Sequence, residues 1–201
     1  MTLDELFLDK KTLTVSGLYP GIGKTLFSEH IISLVPDIAA LKITMTDGIT
    51  RVTDDEQSIM VTGKDTFRLK SSGAKKVVWV KARKEDLESA VRQAIARIPD
   101  SKKILFEGNS ILSCFQPVLA FFLCDKTFTS LQNIKPSRLE SLEKADIIVY
   151  NIRDKQDTGL SATKKICSSL NSSAPVIPVC CSDRTLVGHI LKGPLSQHGF
   201  L

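Results

Sequence analysis

Thr12-Leu-Thr-Val-Ser-Gly-Leu-Tyr-Pro-Gly-Ile-Gly-Lys-Thr25 decides the fold, because an alternating apolar strand runs into a glycine-bearing turn that closes on Gly23-Lys24-Thr25. Gly21 and Gly23 carry no Cβ, so the backbone N–H groups from Gly21 to Thr25 can converge on an anion. This is the pattern of a phosphate-binding loop. In such a loop the Lys24 ammonium reaches the β- and γ-phosphates of a nucleotide and the Thr25 hydroxyl is placed for Mg²⁺. A helix running from Lys24 to about Leu34 would add its positive dipole end beneath the charge. The expected nucleotide-contacting set is Pro20, Gly21, Ile22, Gly23, Lys24, Thr25 and Leu26, with Lys24 as the catalytic cation. One departure from the usual spacing stands out: a glycine is expected five residues before Gly23, where this chain has Leu18, and Gly17 comes one residue too early.

Outward from the loop, residues 37–44 read as a short buried strand that ends at Met45-Thr-Asp-Gly48, and the polar tract from Thr50 to Glu56 reads as a mobile loop. Residues 64–73 have helical character with a terminal glycine stop, and the β-branched run 75–81 reads as the third strand. Leu87, Val91, Ile95 and Ile98 then recur as the apolar stripe of a helix laid on a sheet. The run 103–108 stops at Glu107-Gly108, the way an inner parallel strand delivers a carboxylate to a sheet edge. Further strands are expected over 117–124, 146–151 and 174–180, with a helix over 158–170. This alternation predicts a three-layer α/β fold with a mostly parallel sheet, in a single domain over 1–201. Ligands of such sheets sit beyond the carboxyl ends of the strands, which is where the loop, residues 44–48, Glu107 and Asn151 fall.

The composition narrows the function. At 201 residues, 42% hydrophobic and 24% charged, the chain can bury a core without staples. No apolar run approaches the roughly 20 residues of a membrane helix. The N-terminus has acids where a secretory signal has a basic segment, so a cytoplasmic protein is expected. Five cysteines form an odd set without C-x-x-C spacing and read as reduced thiols. A net charge of +5 suits an anionic ligand but is too mild for nucleic acid, and one Trp with two Tyr offers no stacking platform for bases. His30, His189 and His198 are scattered, which gives no transition-metal site.

Four further groups could carry chemistry. Glu107 is the natural second metal position beyond Thr25, the other reading being a solvated strand-end acid. Asp47 could hold the same Mg²⁺ or orient a water against the γ-phosphate, and a turn-forming Asp before Gly48 explains it equally well. Asn151-Ile-Arg-Asp154 follows an apolar strand where many GTP-binding proteins carry Asn-Lys-x-Asp, so Asp154 either accepts hydrogen bonds from guanine or belongs to a plain turn. Lys64 and Arg68, on one helix face, could hold a second anionic ligand or be solvated.

With these residues placed, the chain resembles the molybdopterin-guanine dinucleotide biosynthesis adaptor protein B (MobB) family. That family belongs to a class of P-loop proteins that also holds dethiobiotin synthetase and the nickel-delivery GTPases. The resemblance rests on Gly21-Ile-Gly-Lys-Thr25, on Gly63-Lys-Asp-Thr-Phe-Arg-Leu-Lys-Ser-Ser-Gly-Ala74 and on Phe106-Glu-Gly108. The histidine-rich stretch that many members carry is replaced after Lys42 by Ile43-Thr-Met-Thr-Asp47. The resemblance implies an α/β/α P-loop NTPase fold and a homodimer that binds GTP (or ATP) with Mg²⁺ and hydrolyses it weakly. It further implies a partner in molybdenum cofactor assembly: molybdopterin, or the enzyme that joins GMP to it. The alternative is an ATP-dependent small-molecule ligase or kinase of the dethiobiotin synthetase type, with Lys64 and Arg68 gripping an acidic substrate.

Overall fold

The structure is a computed structural model that describes residues 3–154 and 156–201. Its frame is an eight-stranded sheet built from β1 (Lys11–Gly17), β2 (Ile38–Met45), β3 (Arg51–Thr53), β4 (Val77–Ala82), β5 (Lys103–Glu107), β6 (Leu119–Cys124), β7 (Ile147–Asn151) and β8 (Val176–Val179). The order across the sheet is β3-β4-β2-β5-β1-β6-β7-β8, and every pairing is parallel except the short β3 against β4. The α/β architecture with a mostly parallel sheet is therefore as the alternating pattern predicts.

Both faces of the sheet are covered, which is why its inner strands are almost continuously apolar. On one face Leu13, Val15, Leu105 and Phe121 pack against α2 (Lys24–Leu34), α4 (Asp65–Ser71) and α8 (Arg184–Gln197). On the other, Leu41, Val80 and Phe106 pack against α5 (Leu87–Ala96) and against Phe7, which follows α1 (Leu3–Leu6). Further along that face, Phe122, Ile148 and Tyr150 meet residues of α6 (Pro136–Glu143) and α7 (Leu160–Leu170). The chain runs from β1 to β2 on one side and from β5 to β6 on the other, so its direction reverses at β1 and β5. Open parallel sheets bind ligands at such a reversal.

Two expectations need correction. The tract from Thr50 to Glu56 is not a structureless loop: it holds β3 and the start of α3 (Glu56–Ile59), which Asp55 caps by accepting from the Ser58 N–H at 3.0 Å. The run 75–81 is accordingly the fourth strand in the chain, since a three-residue edge strand is too short to show a period. The helices α6 and α8 also lie outside the elements read from sequence. Among the described residues no helix is long and apolar enough to cross a membrane.

Candidate functional site

The loop between β1 and α2 is held from below by the ends of three neighbouring strands. Gly17 has a steric reason to sit where it does: a Cβ there would lie 2.8 Å from Ile22 Cγ2 and 3.0 Å from the Leu123 carbonyl oxygen. Ile22 is itself fully buried, so the early glycine accommodates the side chain that folds the loop back over its strand. Beyond β5, Asn109 clamps the Gly17 peptide, accepting from its N–H at 2.8 Å and donating to its carbonyl at 2.9 Å. Tyr19 hydrogen-bonds Asp125 beyond β6. Burial and this carboxylate push the Tyr19 hydroxyl above its ordinary pKa. Arg153 lies over the Tyr19 ring at 5.9 Å, pairs with Asp125 at 3.2 Å and donates to the Gly21 carbonyl at 2.7 Å.

At the other end of the loop, Asn151 Nδ2 donates to the Ile22 carbonyl at 2.9 Å while its Oδ1 accepts from the Cys181 N–H at 3.0 Å. Gly23 then enters α2 with φ of 112°, a left-handed conformation that side chains resist. Tyr19 and Pro20 thus belong to a pinned segment, and the loop's shape is set before any ligand arrives.

Beside the loop, Thr25 Oγ1 lies 2.9 Å from Asp65 Oδ1 and 2.8 Å from Glu107 Oε1. A hydroxyl has one hydrogen and can satisfy only one of these carboxylates. Lys42 answers part of the remaining charge, with its Nζ 2.5 Å from Glu107 Oε1 and 2.6 Å from Asp65 Oδ2. Burial works against the Lys42 charge, yet the two carboxylates, Glu107 foremost, hold its proton affinity above that of an ordinary lysine. Asp65 is shifted in the complementary direction: burial opposes its ionisation, but Lys42 and Thr25 bring its pKa below the usual carboxylate range. Glu107 is wholly buried, and among the described residues its Oε2 has no hydrogen-bond partner. An unpartnered buried carboxylate oxygen and a hydroxyl shared by two acids form a hard oxygen donor set, which fits Mg²⁺.

Above this cluster opens a cavity of about 690 Å³, lined by loop residues from Tyr19 to Leu26 with Ile22 turned away, by Lys42 to Met45, and by Glu107 to Ser110. Asp65 and Arg68 of α4 and Lys135, Ser137 and Arg138 at the start of α6 complete the wall. Lys24 donates to the Tyr19 carbonyl at 3.1 Å. Burial lowers its proton affinity; Glu107 offsets part of this, and the nearby charges of Lys42 and Arg138 add to it.

The structure brings together Pro20, Gly21, Gly23, Lys24, Thr25, Leu26, Arg68 and Glu107 at one cavity, and leaves the other expected residues outside its lining. Ile22 packs in the core. Asp47 is exposed on the β2–β3 connection, where the Thr46 hydroxyl accepts from the Gly48 N–H and makes the turn. Asn151 lies beneath the loop, and Asp154 is engaged by Lys126 at the surface. Lys64 lines an adjoining pocket of about 120 Å³ that shares Lys42, Thr44 and Asp65 with the cavity, while Arg68 is held by Glu29 through two bonds of 2.7 and 2.9 Å. The second carboxylate at Thr25 is thus Asp65 rather than Asp47. Lys42, Asn109, Lys135 and Arg138 escaped the sequence reading, though a lone lysine inside the apolar run Ile38–Met45 was a readable signal.

No protein-family model matches the sequence, and no curated protein does. Solved structures do. HypB from Helicobacter pylori, in complex with nickel, aligns over 98% of this chain and 91% of its own with a TM-score of 0.67 at 15% identity. The hydrogenase maturation factor HypB from Archaeoglobus fulgidus aligns over 96% of this chain and 93% of its own, with a TM-score of 0.59 and 18% identity. The Zn(II)-bound YjiA GTPase from E. coli covers 86% of this chain with 58% of its own, at a TM-score of 0.53 and 15% identity. At such identities the likeness is one of fold, and the fold is that of the P-loop NTPases.

Proposed function

We propose that this chain is a Mg²⁺-dependent nucleotide-binding protein that takes GTP in preference to ATP, hydrolyses it slowly, and serves as an accessory factor in metallocofactor assembly. The observation that carries this reading is the Thr25 hydroxyl, approached by two carboxylates next to Lys24 and a pinned glycine loop. Thr25, Glu107 and Asp65 would hold the metal, which supplies charge neutralisation on the phosphate oxygens. Lys24 leaves the Tyr19 carbonyl to meet the phosphates, and the N–H groups from Gly21 to Thr25 stabilise charge developing on the transferring phosphoryl group. Slow turnover follows from what surrounds that group. Asp65 and Glu107 are the carboxylates among the cavity's lining residues, and both are taken up by Lys42 and by the metal they would hold with Thr25, which leaves no lining carboxylate over to orient an attacking water.

Guanine preference rests on Asp154. Its present partner, Lys126, is half exposed, as Asp154 is, so solvent screens the pair and it holds Asp154 only weakly. Two charge-assisted bonds to guanine, at about 1.5–3 kcal/mol each, would outweigh it. Asn151, whose amide is engaged by the loop and by Cys181, then acts as the loop's support and not as a base reader. The assembly role draws on the MobB-like segments together with the maturation factor among the structural neighbours. A molybdenum cofactor intermediate is the cargo we favour, handled by a homodimer, and nickel delivery is the other metallocofactor role in view.

Isothermal titration of the parent protein and Lys24→Ala with Mg-GTP and Mg-ATP tests the core of this reading. The parent should bind GTP more tightly than ATP, and the variant should lose at least about tenfold in affinity for either. A variant that binds as tightly as the parent would remove the nucleotide from this loop.

A further inference from the structure

Two of the cations that line the cavity have no counter-charge among the described residues. Five cations line it, Lys24, Lys42, Arg68, Lys135 and Arg138, against the two carboxylates Asp65 and Glu107. Lys42 answers both acids, and Arg68 is held by Glu29. Lys24 belongs to the phosphate loop. Lys135 and Arg138 are left, and among the described residues neither side chain has a hydrogen bond or an ion pair. Their place is nevertheless fixed. At the end of α6 the Lys144 ammonium donates to the Leu112 carbonyl at 2.5 Å, and the Ser141 hydroxyl, 2.7 Å from the Ser137 carbonyl of its own helix, lies 3.2 Å from the carbonyl of Asn109, whose side chain clamps Gly17, so the helix bearing Arg138 is held beside the loop.

The space between them is also larger than a phosphate chain requires. Pockets of 300–1,000 Å³ bury most of a drug-sized molecule, and this one holds about 690 Å³ although Asn151 and Asp154, on the side expected for the base, are absent from its wall. From these observations we propose that Lys135 and Arg138 form an oxyanion subsite for a second, small acidic ligand, a carboxylate or phosphate bound across the cavity from the nucleotide's terminal phosphate. This rests on the nucleotide reading and names the chemistry of what shares that site. It also moves the acid-gripping role away from Lys64 and Arg68.

The test saturates the loop with Mg-GMPPNP and then titrates succinate or inorganic phosphate into the parent, Arg138→Gln, Lys135→Gln and the α7 surface control Lys164→Gln. Binding to the loaded parent and to the control is expected, with a loss of at least about tenfold in Arg138→Gln and in Lys135→Gln. The stronger of the two probes tells carboxylate from phosphate. Circular dichroism establishes that each variant is folded, and either glutamine variant suffices if the other is not. The proposal is overturned if the loaded parent binds neither probe, or if Arg138→Gln weakens GMPPNP but not GDP and leaves the added anion untouched, which would assign the cations to the γ-phosphate. Should no nucleotide bind, the nucleotide reading fails by itself. Phosphate titrated into Lys24→Ala then decides the subsite: binding that disappears with Arg138→Gln supports it, and no binding refutes it.

Discussion

Replacing Lys42 by Met should be the most damaging single change at the cavity in the absence of ligand. Its Nζ lies 2.5 Å from Glu107 and 2.6 Å from Asp65; the side chains are 16% exposed for Lys42, 0% for Glu107 and 44% for Asp65. The Asp65 limb is solvent-screened and contributes little. The Glu107 limb is different, because removing the cation leaves an ionised carboxylate in the interior, and breaking a buried pair from one side costs about 3–5 kcal/mol. For a chain of this size each kcal/mol moves the melting temperature by about 2–4 °C, so a fall of roughly 6–20 °C is expected by calorimetry. Two companions separate charge from packing. Lys42→Met/Glu107→Gln, which buries no charge, should recover at least about half the loss. Saturating Mg-GTP should raise the melting temperature of Lys42→Met by more than that of the parent, since the metal replaces the missing cation. A drop of under about 2 °C, or a double variant no better than the single, would refute the account of Lys42 as the counter-charge to Glu107.

Asn151→Ala leaves the buried Ile22 carbonyl and Cys181 N–H without their side-chain partner, so a loss of about 1–3 kcal/mol in urea unfolding should accompany weaker nucleotide binding. Lys24 starts below the ordinary lysine pKa because it is buried, and a bound triphosphate favours its charged form. Nucleotide affinity is therefore complete below the free-state pKa of Lys24 and declines as pH rises through it, from a point below the usual lysine value of about 10.4. Lys24→Arg, which stays charged, should flatten that decline when the two proteins are titrated in parallel so that the base's own ionisation cancels. Asp154→Asn should lower GTP affinity at least about tenfold and improve xanthine nucleotides, and equal GTP binding by parent and variant would end the guanine assignment.

The loop between β1 and α2 was legible because its information is local. Strand, glycines, Lys24, Thr25 and helix follow one another within 12–34, and each residue type has a backbone or charge reason to be there. Glu107 was legible for the same reason, as the acid that ends an apolar strand. The bracing of the loop was not. Asn109, Asp125 and Arg153 act on it from the ends of other strands, and nothing within their own segments points to Gly17, Tyr19 or Gly21. The polar tract after Gly48 misled because β3 is three residues long and takes its order from pairing with β4.

Lys42 shows what decides the remainder. The strand that carries Glu107 arrives late in the chain and inserts between β1 and β2, so that Lys42 and Glu107 become direct cross-strand neighbours and Glu107 sits opposite Val15. Parity does the rest. Lys42 shares its face with Ala40, the face on which α2 and α4 pack, and those helices begin with the residues that bring Thr25 and Asp65 to it. A slip of one residue in β2 would turn Lys42 to the opposite face, among Val78, Val80 and Phe106, and leave Glu107 without its cross-strand cation. The ion pair and the cluster of oxygens proposed for the metal are thus consequences of strand order and register, and the lysine that looks misplaced in an apolar strand is what makes that register costly to lose.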